Sequence, residues 1–188
     1  MTARSHFVKK ARRDYPEAEI KRGESYYWWK FNFSRMIHRS KTAPKRSQLI
    51  QSPFLSQMAD IDDRINGISF DNWESDRDDI VSELESLRDE CQEKFDNIPE
   101  QLQEANVGSL LSERVENLDS MISDLEGIDI EEVDEGSIRG EVEDELKKDE
   151  DESSIDFQQR ITDEVTERVE AKKEKGLDEL HQISYQGG

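Results

Sequence analysis

Ser25-Tyr-Tyr-Trp-Trp-Lys-Phe-Asn-Phe33 is the stretch that takes this chain out of the all-helical class. Aromatic side chains fit a pleated, half-buried surface, and nine residues are ample for one strand. Alternation assigns Tyr27, Trp29, Phe31 and Phe33 to one face, and Tyr26, Trp28, Lys30 and Asn32 to the other. The first face reads as core and the second as at least partly wet. Ser34-Arg35-Met36 can reverse the chain into a second short strand over residues 37–42. A β-hairpin or small sheet is therefore expected. Upstream, residues 1–24 have no clean period, and Pro16 and Arg22-Gly23-Glu24 mark turns.

Helical signals begin downstream. Ser52-Pro53 supplies an N-cap with proline at the first helical position, and Asn66-Gly67 offers a stop. Phe54, Met58, Ile61 and Ile65 repeat at helical spacing between them. A second seam runs through Ile80, Leu84, Leu87, Cys91, Phe95, Ile98 and Leu102, with Pro99 expected to kink it or start a new helix. Asn106-Val-Gly108 reads as a turn, and Leu111, Val115, Leu118, Ile122 and Leu125 form a third seam closed by Gly127. Two striped helices joined by a short loop imply an antiparallel helical hairpin with coiled-coil character, open to self-association. Residues 129–156 hold 14 acids and three bases and read as a linker, disordered or only transiently helical. Ile155, Ile161, Val165, Val169, Leu177, Leu180 and Ile183 then stripe a polar tail that can dock on the hairpin or on a partner.

The fold class is thus α+β. A basic, aromatic-rich head covers 1–70, a helical hairpin 71–128, and an acidic linker with a polar helical tail 129–188, the acidic part partly disordered.

Charge divides along the same line. The first 50 residues carry 13 of the 26 Lys and Arg and only four of the 46 acids, a net +9. Residues 51–188 carry 13 bases against 42 acids, a net −29. Opposite signs on separate modules select different partners. Hydrophobic residues make up 32% of the chain and charged ones 38%, so a large core is not expected. No window is apolar enough for a spanning helix, and the N-terminus has no apolar signal region. The expected setting is a soluble protein of the host cytoplasm with no membrane contact.

Chemistry finds little purchase. Cys91 is the single cysteine, which excludes an intrachain disulfide, and its seam position makes it a buried apolar residue. His6, His38 and His181 have no ligand spacing. A calcium loop opening at Asp129 fails, because Asp134 stands where glycine is needed and Gly140 where the bidentate Glu belongs. Phosphate-binding glycine loops and nucleophile elbows are absent from the sequence. No enzyme, no metal and no cofactor is expected.

The head is the candidate binding surface. Lys9, Lys10, Arg12, Arg13, Lys21, Arg22, Lys30, Arg35, Arg39, Lys41, Lys45 and Arg46 can neutralise phosphates, while Tyr26 and Trp28, if exposed, can stack on bases. Against this stand two plainer readings: that every aromatic is core, or that the bases pair with the protein's own acids. The anionic body invites the inverse idea, mimicry of nucleic acid. Duplex DNA carries about 0.6 charges per Å. The body's 29 excess charges over 138 residues give roughly 0.14 per Å as one helix and about 0.28 as a two-helix rod. Mimicry is not forced.

Gly23-Glu-Ser-Tyr-Tyr-Trp-Trp-Lys-Phe31, Ser40-Lys-Thr-Ala-Pro-Lys-Arg-Ser-Gln-Leu-Ile-Gln-Ser52, Asn97-Ile-Pro-Glu-Gln-Leu-Gln103 and Gly108-Ser-Leu-Leu-Ser-Glu-Arg-Val115 together resemble a family of small proteins of tailed phages and prophages. That resemblance covers about half the chain with the residues between and implies a viral setting without a mechanism. Ile20-Lys-Arg-Gly-Glu-Ser-Tyr26 also resembles a phrase of zinc-binding treble-clef modules, here without the cysteines. Strand-turn-strand with Trp29-Lys-Phe31 and Ser40-Lys-Thr42 is similar to the arm-binding domains of phage integrases. The resulting expectation is a non-enzymatic phage accessory protein. Its head contacts nucleic acid or a nucleoprotein complex, and its acidic body binds a host or viral protein in host takeover. The alternatives are an acidic, DNA-mimic-like inhibitor of a host defence or replication enzyme, and a virion or scaffold component that forms a homo-oligomer through its helices.

Overall fold

In the computed structural model the described residues are 2–130, 132–147, 153–185 and 187. The chain divides into two compact units, Met1–Arg64 and Ile65–Gly188. The boundary thus falls a few residues before the expected end of the head near residue 70, inside the last turn of a helix.

Unit 1 is built on strands β1 (His6–Val8), β2 (Tyr26–Trp29) and β3 (His38–Ser40) in an antiparallel sheet of order β1-β2-β3. His6, Phe7 and Val8 lie opposite Trp28, Tyr27 and Tyr26, and Tyr27, Trp28 and Trp29 lie opposite Ser40, Arg39 and His38. The second strand expected over residues 37–42 is therefore present in shorter form, and β1 was not expected at all. Three residues are too few for an alternation to register, so only its pairing with the aromatic strand defines it.

The face expected to be partly wet exposes Lys30 and Asn32 and half-buries Trp28, but Tyr26 is covered. Between β1 and β2 the chain closes a lobe through the Tyr15–Ile20 bridge and the hydrogen bonds Ala11 N–H to Glu24 O (2.8 Å) and Gly23 N–H to Ala11 O (2.9 Å). Gly23 sits at φ 97, where a side chain would be strained. This lobe lays Ala11 and Ile20 on Tyr26, with Val8, Tyr15, Ala18 and Trp28 around them. Tyr26 is therefore core, so the exposure on which its stacking role depended is absent. On the other face Tyr27 meets Phe7, and Trp29 stacks on His38. Phe33, expected as core, is fully exposed. Helix α1 (Pro53–Ile65) starts where the sequence places it, with the Leu55 N–H donating to Ser52 Oγ at 3.4 Å. Met58, Ala59, Ile61 and Ile65 are its buried face.

Unit 2 contains the expected helical hairpin. Helix α2 (Trp73–Asp96) and helix α4 (Asn106–Glu126) run antiparallel: Arg77 reaches the Ile128 carbonyl at 3.2 Å, and Arg88 reaches Asp119 at 3.4 Å. Ile80, Leu84, Leu87 and Cys91 are buried along one seam, and Leu111, Leu118, Met121, Ile122 and Leu125 along the other. Each fully buried aliphatic side chain here contributes roughly 1.5–3 kcal/mol. Burial also pushes the Cys91 thiol up from its ordinary value. The one-turn helix α3 (Glu100–Gln103) begins after Pro99. Gly108 lies inside α4 and not in a turn, because the chain reverses earlier through extended Ala105. Its missing side chain lets the Gln103 backbone come into direct contact.

The acidic segment expected to be disordered is folded across its described residues. Helix α5 (Glu135–Glu145) is capped by Asp134, which accepts from the Gly136 N–H at 2.9 Å and the Ser137 N–H at 3.3 Å. Helix α6 (Ser154–His181) opens with Ser153 accepting from the Asp156 N–H at 3.1 Å. Ile138 and Val142 of α5 are buried against Ile161 and Val165 of α6. That apolar cluster outweighs the surrounding charge. Residue 131 and residues 148–152, also within the expected disorder, lie outside the described residues. The far end of α6 docks beside the root of the hairpin: Leu177 and Leu180 are buried, Gly176 abuts Ile130 and Phe70, and Lys173 pairs with Asp71 at 3.1 Å. The hairpin, the acidic helix and the tail are thus one unit and not two.

An ion-pair network crosses between α5 and α6. Arg168 bonds Glu145 at 2.7 Å and Glu164 at 2.8 Å. The Arg168 hydrogen bond holds the Glu145 carboxyl below the usual carboxylate range. A lowered folded-state value means that this contribution is complete above the ordinary carboxylate range and is lost as pH falls through the folded value. Acidification from about pH 7 to about pH 3 is expected to loosen α5 from α6, and Glu145→Gln to flatten that dependence. Hydrogen exchange of the α5 amides measures it. An unchanged profile in the variant would show that the pair contributes nothing.

Candidate nucleic-acid interface

The two units carry opposite charge. Unit 1 holds 14 Lys and Arg against seven acids, a net +7. Unit 2 holds 12 against 39, a net −27.

The sheet sets where the head's cations stand. The β1–β2 connection carries Lys9, Lys10, Arg12, Arg13, Lys21 and Arg22, all exposed. In a meander the β2–β3 connection emerges from the opposite end of the sheet, and it carries Lys30 and Arg35. Lys41 follows β3 and returns to the first end, while Lys45 and Arg46 lead into α1. Strands of three to four residues run only about 10–13 Å. Both cationic ends therefore fit within the roughly 34 Å of one duplex turn.

Not all of these cations are free. Arg39 pairs with Glu17 at 3.0 Å, lies over the Tyr15 ring at 4.3 Å and has a side chain only 16% exposed, so it belongs to the fold. Lys41 lies 3.6 Å from Glu24, and Arg46 lies 3.8 Å from Asp62. Arg13 also lies over Tyr15, at 5.3 Å. Hydrogen bonding from Tyr26, then from Arg13, holds the Tyr15 phenol below its ordinary value, while the bond to Tyr15 and burial push Tyr26 up. Lys9, Lys10, Arg12, Lys30, Arg35 and Lys45 are exposed and form no ion pair among the described residues. Together with Lys21 and Arg22, which are exposed and likewise form no ion pair among the described residues, they make up the surface available to an anion.

The stacking residues need correction. Tyr26 is buried under the lobe, and its ring is out of reach of a base. Trp28 is half-buried and already stacked on His6, with ring centres 4.5 Å apart. The exposed apolar surface of the head lies elsewhere: Phe33 at 100% exposure, Met36 at 66%, Phe7 at 54% and Ile37 at 41%. Three of these four sit on the β2–β3 connection. Sequence reading missed them because Phe33 continues the alternation of Tyr27, Trp29 and Phe31. Only the end of β2 at Trp29 breaks that series. Arg4, exposed just before β1, is a further cation outside the expected set.

Among the described residues, no group of three or more His, Cys, Asp or Glu is arranged to hold a metal ion. No described helix is long and apolar enough to cross a membrane. The chain matches no protein-family model, no curated protein and no solved structure.

Proposed function

We propose that this chain is a non-enzymatic phage accessory protein whose cationic head binds nucleic acid or a nucleoprotein complex, while its acidic helical unit engages a host or viral protein. The observation that carries this reading is the set of exposed cations, in no ion pair among the described residues, on a compact unit of net +7. Cations that served only the head's own fold would be paired as Arg39 is. Phosphate neutralisation releases condensed counterions, so binding must weaken steeply with salt. With about five phosphate contacts, affinity is expected to fall roughly 10²- to 10³-fold between about 50 and 200 mM salt.

The test uses the full chain and labelled oligonucleotides. Lys9, Lys10, Arg12, Lys30, Arg35 and Lys45, all changed to Ala, should weaken binding evenly across sequences and flatten the salt dependence. Absence of binding at low salt, or binding indifferent to salt, would remove the reading.

A second reading is favoured by one observation, the folded state of α5. It exposes Glu141, Glu143, Asp144 and Glu145 on an ordered helix, as an acidic inhibitor of a DNA-binding enzyme requires. If that is the activity, DNA competes for the partner.

A further inference from the structure

The β2–β3 connection, residues 30–37, is built as a projecting apolar tip. Its root is fixed: His38 stacks on Trp29 with ring planes 13° apart and meets the Phe31 ring edge-on at 5.4 Å. Its turn is fixed as well, by the Ser34 N–H to Phe31 O bond (3.2 Å) and the Met36 N–H to Ser34 Oγ bond (3.1 Å). From this base Phe33 extends wholly into solvent, and Met36 and the partly exposed Ile37 follow on the same connection.

Phe33 has φ 62, the left-handed region that glycine or asparagine occupies at little cost and that a phenylalanine does not favour. A chain needing only a turn here is better served by glycine. The ring is retained in a strained conformation where it touches no core.

Lys30 and Arg35 stand on the same eight-residue connection, exposed and unpaired among the described residues. An apolar wedge between two cations complements a stack of bases lined by phosphates. Single strands are usually gripped on an open aromatic platform, and here Tyr26 is buried, Trp28 is stacked on His6, and Phe7, though exposed, packs its ring against Tyr27. Phe, Met and Ile wedges instead enter the minor groove of duplex DNA, unstack a base step and bend the helix.

We infer that the 30–37 tip is a duplex-DNA wedge: Phe33 enters a base step with Met36 and Ile37 against the groove wall, while Lys30 and Arg35 hold the flanking phosphates. This deepens, and rests on, the reading of the head as a nucleic-acid binder. It adds the substrate form and a mechanical consequence, a bend.

The experiment uses the full chain at low salt with a duplex of about 25 base pairs, end-labelled for energy transfer and carrying 2-aminopurine at central steps. The native protein is expected to raise both the transfer efficiency and the 2-aminopurine fluorescence. Phe33→Gly relieves the backbone, so its fold is retained. It should lose both signals while affinity falls about 10-fold, in line with the loss of one stacked aromatic. Phe33→Trp should preserve both. Binding without bending or unstacking, or bending that survives Phe33→Gly, overturns the wedge and leaves the head reading in place. Phe33-dependent binding that prefers single strands, or vesicles of phosphatidylserine and phosphatidylcholine, also overturns it. Failure to bind any nucleic acid removes the head reading and the wedge together.

Discussion

Gly108→Ala lowers the urea midpoint of unit 2, although helix propensity alone argues for the opposite sign. Alanine is favoured over glycine inside a helix by about 1 kcal/mol. At this position an added Cβ falls within the contact radius of the Gln103 carbonyl and Cα, which are backbone atoms and cannot swing aside as a side chain would. Overpacking costs about 1–3 kcal/mol, and the upper end of that range applies when the main chain must shift. The clash therefore wins by about 1–2 kcal/mol. Unfolding followed by far-ultraviolet circular dichroism measures the change. A midpoint that rises would mean that α3 does not lie against Gly108 in solution. Gly140 is the matched control: nothing stands within reach of a Cβ there, so Gly140→Ala in α5 should stabilise by a few tenths to about 1 kcal/mol.

Val142→Asp has the second large effect. Val142 is fully buried between α5 and α6, and the residues on either side of it are Glu141, Glu143, Asp144 and Glu145. A carboxylate there loses its hydration inside the apolar Ile138, Ile161 and Val165 cluster and adds to a largely anionic neighbourhood. Stranding an unpaired charge costs about 3–5 kcal/mol, against roughly 1.5–3 kcal/mol from each buried aliphatic side chain that holds α5. Helix α5 should detach, with amide exchange across 135–145 accelerated at least about 100-fold (about 2.7 kcal/mol). The α2–α4 hairpin has its own buried seam and should keep its protection. Unchanged exchange in α5 would show that the acidic helix does not depend on this cluster.

The elements of the fold legible in sequence are those whose signal repeats. Ile80, Leu84, Leu87 and Cys91 recur along one face, and Ser52-Pro53 announces α1 chemically, so both helices stand where the sequence places them. The elements that were not legible depend on partners distant in sequence. Strand β1 exists through its pairing with β2, and Tyr26 is buried because a lobe with no period of its own folds over it. Composition concealed α5. Ile138 and Val142 already had helical spacing, as did Ile161 and Val165, but 14 acids over residues 129–156 suggested disorder. Two short stripes become a stable pair only against each other. For the candidate interface, the sequence located the cations and misplaced the aromatic contact. Alternation carried Phe33 into the core, and a positive φ has no signature in a phenylalanine.

Helix α6 has 28 residues, about 42 Å of continuous rod, braced near one end by α5 and near the other by the segment around Phe70 and Ile130. It contains no proline, and a helix without one curves only gently. A partner that grips the acidic patch of α5 and tilts it would, through this lever, apply torque to the foundation of the hairpin far from the point of grip.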